Sequence, residues 1–166
     1  MFPTSPMLHL LCGKPASGKS TLAAELALGS GAIVISEDEW LEALFADDMA
    51  SLSDYVRCAA KLRRIMEPHV ATLLTAGVSV VLDFPANTIE TRGWMQRLLQ
   101  QTNAAHRLHV LDVPDEVCLA RLQTRNARDE HPFAATEVQF RRIARHYVAP
   151  RDEEGFNVVT HRIGDD

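Results

Sequence analysis

Residues Gly13 to Ser20 read Gly-Lys-Pro-Ala-Ser-Gly-Lys-Ser and satisfy the pattern G-x-x-x-x-G-K-[ST], which restricts the possible folds more than any other stretch of the chain. The flanks agree with the motif. Met7–Cys12 is a short apolar run with the character of a strand, and the residues from Lys19 to Leu28 read as a helix. Gly13 and Gly18 permit backbone angles and a close approach that a Cβ would forbid, so the N–H groups of Lys14, Pro15's neighbours Ala16 and Ser17, and the residues beyond can turn inward around an anion. The new helix adds its positive dipole end and the unpaired donors of Lys19, Ser20 and Thr21. Lys19 is then suited to bridge the β- and γ-phosphates of a nucleoside triphosphate, and the Ser20 hydroxyl to ligate Mg²⁺.

The 166 residues suggest one domain spanning 1–166, and the composition, 46% apolar and 23% charged, is that of a globular protein rather than a disordered or fibrous one. A net charge of −5 argues against bulk nucleic-acid binding. No run reaches the length of a membrane span, and the first six residues lack the features of a secretory signal. Cys12, Cys58 and Cys118 are widely spaced in apolar surroundings, which points to buried reduced thiols and a cytoplasmic location. The seven histidines show no metal spacing, and Trp40 and Trp94 read as packing residues.

Strand and helix signals alternate along the chain, the pattern of a parallel sheet covered by helices on both faces. Strands are expected at Met7–Cys12, Ala32–Ser36, Val78–Asp83, His106–Val113 and Asn157–His161. Helices are expected at Lys19–Leu28, Glu37–Ala46, Asp54–Ala76, Thr88–Gln101, Asp115–Arg128 and Thr136–Val148. Gly29 and Gly77 are placed to stop two of them, and Pro68 to kink or interrupt the long third one.

Further chemistry gathers around the expected strand ends. Asp83 closes the apolar run from Val78, a Walker-B style arrangement in which the carboxylate reaches Mg²⁺ beside the phosphate loop. Asp38, just past the second strand, stands where a general base would take a proton from an attacking hydroxyl, while Ser36 and Glu39 form an S-x-x-E capping box. Arg121, Arg125 and Arg128 share one helix face. The first two can close over a triphosphate as part of a lid at about 121–136, whose loop is Asp129–Phe133; a solvated face is the other reading. Asn87 either holds a substrate hydroxyl or, with Glu90, caps a helix, and Arg57, Lys61 and Arg64 form a basic stripe that binds an anionic acceptor or faces water.

Together Gly13–Ser20, Asp38, Asp83 and the Arg121/Arg125 region resemble the P-loop kinase superfamily, and most closely the small kinases grouped with polynucleotide kinase, the zeta-type toxins and chloramphenicol phosphotransferase. The resemblance covers nearly the whole chain. It implies a three-layer α/β/α fold of nucleotide-kinase type, a five-stranded parallel sheet of order 2-3-1-4-5, ATP with Mg²⁺, and transfer of the γ-phosphate to a hydroxyl of a small-molecule acceptor. Lys19, Asp38, Arg121 and Arg125 would then be catalytic. The polynucleotide kinase pattern has an arginine three residues after its base aspartate, and Leu41 stands there in this chain, which counts against a nucleic-acid 5′-hydroxyl as acceptor. The other readings are a polynucleotide or nucleoside kinase, an ATP-binding switch or partner-regulated ATPase, and a toxin phosphorylating an activated sugar. Nothing in the residues favours an oligomer over a monomer.

Overall fold

In the computed structural model, which describes residues 5–128 and 136–163, alternation of apolar runs and amphipathic segments yields a five-stranded parallel sheet with helices on both faces. The strands are β1 (Met7–Cys12), β2 (Ile33–Ser36), β3 (Val80–Pro85), β4 (Ala105–Asp112) and β5 (Val158–Arg162), in the order β2-β3-β1-β4-β5. The helices are α1 (Lys19–Ser30), α2 (Glu37–Phe45), α3 (Leu52–Thr75), α4 (Ile89–Thr102), α5 (Asp115–Arg128) and α6 (Glu137–His146). Every neighbouring pair of strands is parallel, as βαβ crossovers require.

One sheet face, with Leu8, Leu10, Leu82 and Phe84, packs on α2, α3 and α4 through Leu41, Leu62, Met66 and Trp94. The other, with Leu11 and Val81, packs on α1 through Ala23, Leu22 and Leu26. Both faces of β1 are therefore buried, which is why it reads as a nearly unbroken apolar run. Cys12, Cys58 and Cys118 are buried free thiols. Among the described residues no helix is long and apolar enough to cross a membrane.

Several boundaries and local expectations differ. Gly29 does not stop α1, which runs on to Ser30; Gly31 (φ 70°) caps it, its N–H donating to Ala27 O. Pro68 does not interrupt α3. The missing N–H is outweighed by the buried row Cys58, Leu62, Met66, Val70 and Leu74, which anchors the helix on both sides of the proline. Gly77 does follow the end of α3 in a left-handed conformation. Trp94 packs on Phe84 with ring centroids 5.6 Å apart, whereas Trp40 is 40% exposed and is no core residue. The capping box read at Ser36 and Glu39 is half realised, Ser36 Oγ accepting from Glu39 N, and a reciprocal box forms at Thr136 and Gln139 instead. β3 begins two residues late and runs past Asp83 to Pro85; its register against β1 jumps from Leu10↔Leu82 to Leu11↔Pro85, so Asp83 and Phe84 occupy a bulge. Phe84 enters the core and Asp83 meets the phosphate loop.

Candidate active site

The loop between β1 and α1 is shaped by contacts that tolerate few substitutions. Ala16 (φ 61°) and Gly18 (φ 105°) are left-handed, and a Cβ on Gly13 would lie 2.4 Å from Ser17 Oγ. The Ser17 N–H donates to Lys14 O at 3.1 Å and closes the turn. Helix α1 then begins on Gly18 without a side-chain cap or an acidic residue in its first turn, while Ser36, Ser51, Thr88 and Thr136 each cap their own helix. The first-turn N–H groups of α1 therefore have no donor-satisfying partner from a capping side chain, the state of a helix N-terminus built to receive an anion.

The same loop is gripped from behind. Asn87 Nδ2 donates to Gly13 O at 2.8 Å and Asn87 Oδ1 accepts from Gly13 N at 2.9 Å, so one amide brackets the Gly13 peptide. Asn87 is buried in the wall of the cleft and does not cap α4 as expected, a task Thr88 performs. Lys14 turns away from the cleft, its ammonium 2.6 Å from Asp115 Oδ1 and 5.2 Å from the centre of the Tyr147 ring. Gly13 and Lys14 thus support the loop with backbone, while Pro15, Ala16, Ser17, Gly18, Lys19, Ser20 and Thr21 line the cleft in front.

That cleft has a volume of about 1170 Å³. Lys19 Nζ donates to Gly13 O at 2.5 Å and to Lys14 O at 3.1 Å. Burial lowers its pKa, opposed by the charges of Asp83 and Asp38. Ser20 Oγ donates to Asp83 Oδ2 at 2.9 Å, which sets two hard oxygen atoms, of the kind that could hold Mg²⁺, side by side at the mouth of the loop. Asp38 lines the cleft from the first turn of α2. From α5, Arg121 Nη1 donates to Ser17 O at 3.3 Å, and Arg125 holds its Nε buried without a hydrogen-bond partner among the described residues. Burial lowers the Arg125 pKa and the nearby Asp38 charge opposes that. Arg128 is exposed and does not line the cleft, and the loop Asp129–Phe133 lies outside the described residues.

Of the two readings of the basic stripe on α3, the water-facing one holds. Arg57 and Lys61 do not line the cleft; Arg57 is exposed and pairs with Asp54 at 3.5 Å, and Lys61 and Arg64 are exposed too. The opposite flank of α3 faces the cleft, with Tyr55, Ala59 and Arg63 at helical spacing. Leu41, at the position of the polynucleotide kinase arginine, is fully buried in the core. Sequence reading also passed over Glu37, only 2% exposed, to which the Tyr55 hydroxyl donates. Burial raises the Glu37 pKa to about 7 against the pull of that hydrogen bond, with Asp38 adding to the rise and Arg63 opposing it. From α6, Arg142 and His146 reach the cleft, a pair that their i, i+4 spacing could have revealed.

A parallel sheet of order 2-3-1-4-5 with this loop at the carboxyl end of its central strand defines the P-loop kinase fold. The family model for AAA domains designated AAA_33 matches residues 8–150, and the chain belongs to that family. No curated protein matches it. Solved structures similar to it include a Chloroflexus aurantiacus protein provisionally called a kinase, at 22% identity and TM-score 0.77, covering 95% of this chain and 85% of that one. Another is the Mycobacterium tuberculosis APS kinase in complex with AMPPNP and APS, at 22% identity and TM-score 0.65 over 99% and 92% of the two chains. A third is Chaetomium thermophilum Kti12 in complex with ADP-AlF3, at 15% identity and TM-score 0.69 over 97% and 91%. At these identities the likeness is one of fold.

Proposed function

We propose that the protein is an ATP-dependent phosphotransferase that moves the γ-phosphate of Mg-ATP to a hydroxyl of a small-molecule acceptor. The observation that carries this reading is the meeting, in one cleft, of an uncapped α1 N-terminus, the Ser20–Asp83 oxygen pair, Asp38, and the α5 arginines. The loop 13–20 holds the phosphates by backbone N–H groups, and Lys19 leaves its resting bonds to Gly13 O and Lys14 O to pair with phosphate oxygens. Ser20 and Asp83 suit Mg²⁺ by their chemistry and spacing, and the metal, when bound, neutralises charge on the transferring group. Asp38 accepts the proton of the acceptor hydroxyl as its oxygen bonds to phosphorus and ADP departs. Arg121 and Arg125, from α5, spread positive charge over the γ-phosphate. Positioning and charge stabilisation supply most of the rate, since phosphoryl transfer asks little covalent chemistry of a protein.

A 5′-hydroxyl of a polynucleotide is disfavoured by the net charge of −5 and by the buried Leu41. The test is transfer from γ-labelled ATP with Mg²⁺ to pooled small hydroxyl compounds, nucleosides and 5′-hydroxyl oligonucleotides. Asp38→Asn is expected to retain ATP binding and to lower transfer by roughly 10²–10⁴-fold. Free phosphate alone, released equally by wild type and variant, would replace this reading with a hydrolase or nucleotide switch.

A further inference from the structure

Arg63 is a cation in the cleft that ATP does not account for. It lies on α3, eight residues after Tyr55 and four after Ala59, on the stripe that faces the cleft, and it is half-buried. Among the described residues its guanidinium donates no hydrogen bond and makes no ion pair. A planar fork of five donors is costly to leave unsatisfied in a partly desolvated place. It shares the neighbourhood of Glu37 with Tyr55, Asp38 and Asp83, so it belongs to the Asp38 side of the cleft. Arg121 and Arg125, by contrast, come from α5, with Arg121 on the phosphate loop itself. Between Arg63 and the start of α3, Leu52, Val56 and Ala59 give the cleft an apolar wall.

We propose that Arg63 is the recognition residue of an acceptor subsite for an anionic hydroxyl compound, one that carries a carboxylate or phosphate of its own beside an apolar carbon face. This rests on the reading of Asp38 as the base, since the acceptor hydroxyl sits at Asp38 while its anionic group is held by Arg63. A guanidinium pairs with either oxyanion through two parallel N–H···O bonds, which fixes orientation as well as affinity. The exposed stripe of Arg57, Lys61 and Arg64 on the same helix has no such role.

The competing explanation for Arg63 is that it offsets the Glu37 charge. Calorimetric titration of inorganic phosphate, and separately of malonate, into protein saturated with Mg²⁺ and AMPPNP separates the two. With the phosphate loop filled, wild type should bind one of these anions in the millimolar range. Arg63→Gln should weaken that binding roughly tenfold, as loss of a charge-assisted bidentate contact does, Arg63→Lys less so, and Arg57→Gln within about twofold of wild type by the same principle. Phosphate bound more tightly than malonate would assign a phosphorylated acceptor, and the reverse order a hydroxy acid. Absence of Arg63-dependent binding of either anion overturns the proposal. So does recovery of wild-type anion binding in Glu37→Gln/Arg63→Gln, because the single variant would then have acted only through an uncompensated Glu37. The titration needs no turnover, so an intact anion site in a protein that transfers no phosphate would sink the kinase reading and leave the subsite standing.

Discussion

At the scale of single residues, the site depends on polar side chains that serve the backbone of the phosphate loop as much as on those aimed at a ligand. Asn87 spends its oxygen and its nitrogen on the Gly13 peptide, while its own carbonyl accepts from Val148 N at 2.9 Å. Truncation would leave the buried Gly13 N–H without a partner, costing roughly 1–3 kcal/mol, and its carbonyl held by Lys19 alone. Asn87→Ala is therefore expected to loosen the loop, raising KM for ATP roughly tenfold while kcat changes much less, because the chemistry at Asp38 is untouched. Asn87→Asp keeps the acceptor for the Gly13 N–H but loses the donor and adds an anion near the phosphates, so its KM should rise further. Steady-state kinetics with ATP as the varied substrate checks both. A fall in kcat with unchanged KM would instead return Asn87 to the substrate role that its position after Asp83 suggested.

At the scale of elements, the way each helix begins and ends decides what it can do. Helices α2, α3, α4 and α6 start on a Ser or Thr that satisfies a first-turn N–H, and α1 alone among these starts on a bare glycine in a left-handed conformation. Its other end carries two glycines of opposite consequence. Gly29 lies within the helix and a Cβ there meets nothing within 4 Å, whereas Gly31 holds φ at 70° to form the cap. Gly29→Ala is expected to stabilise the protein by about 0.5–1 kcal/mol and Gly31→Ala to destabilise it by about 1 kcal/mol, both measurable by urea unfolding. Identical effects at the two positions would contradict the helix end described for α1. The end of α6 is tied to the phosphate loop by a different device: Tyr147 contacts Cys12 Sγ and the Lys14 ammonium, and Val148 meets Asn87, so the helix bearing Arg142 and His146 is fastened next to Gly13.

At the scale of the whole molecule, two buried titrations of opposite sign act on stability over the same pH range. Three histidines far apart in the chain line up across β1, β4 and β5, with His9 Nδ1 3.0 Å from His109 Nε2 and His109 Nδ1 2.9 Å from His161 Nε2. Burial, with the neighbouring His9, His161 and Arg107, lowers the His109 pKa from 6.5 to about 4, so its contribution is complete above 6.5 and is lost as the pH falls through 4. Glu37 is raised from 4.5 to about 7, so its contribution is complete below 4.5 and is lost as the pH rises through 7. Each amounts to roughly 3 kcal/mol at most, and between pH 4.5 and 6.5 they oppose each other. His9 and His106, also lowered by burial, act with His109, so Glu37 offsets only part of the rise of wild-type Tm with pH across that window. Glu37→Gln removes that offset, so its Tm should rise more steeply with pH from 4.5 to 6.5 and exceed wild type above pH 7; scanning calorimetry at five pH values reads this directly, and a parallel downward offset at every pH would refute it. Arg92 lies equally beyond the reach of sequence reading. It is fully buried in a helix whose residues otherwise pack the sheet, and its guanidinium joins Glu154 at 2.7 Å to the carbonyls of Ala86 and Val148. The sequence by itself determined the alternation of strands and helices, the phosphate loop, and the candidacy of Asp38, Asp83, Arg121 and Arg125, because periodicity, glycine spacing and helix phase are local properties of consecutive residues. Only the tertiary structure decided that Asn87 grips Gly13, that Arg63 rather than Arg57 or Lys61 faces the cleft, and that His9, His109 and His161 touch. Those facts depend on which flank of α3 turns to the sheet and on the register of strands that bring together residues as much as 100 positions apart, and contacts between distant segments are set by the packing of the whole core rather than by any one stretch.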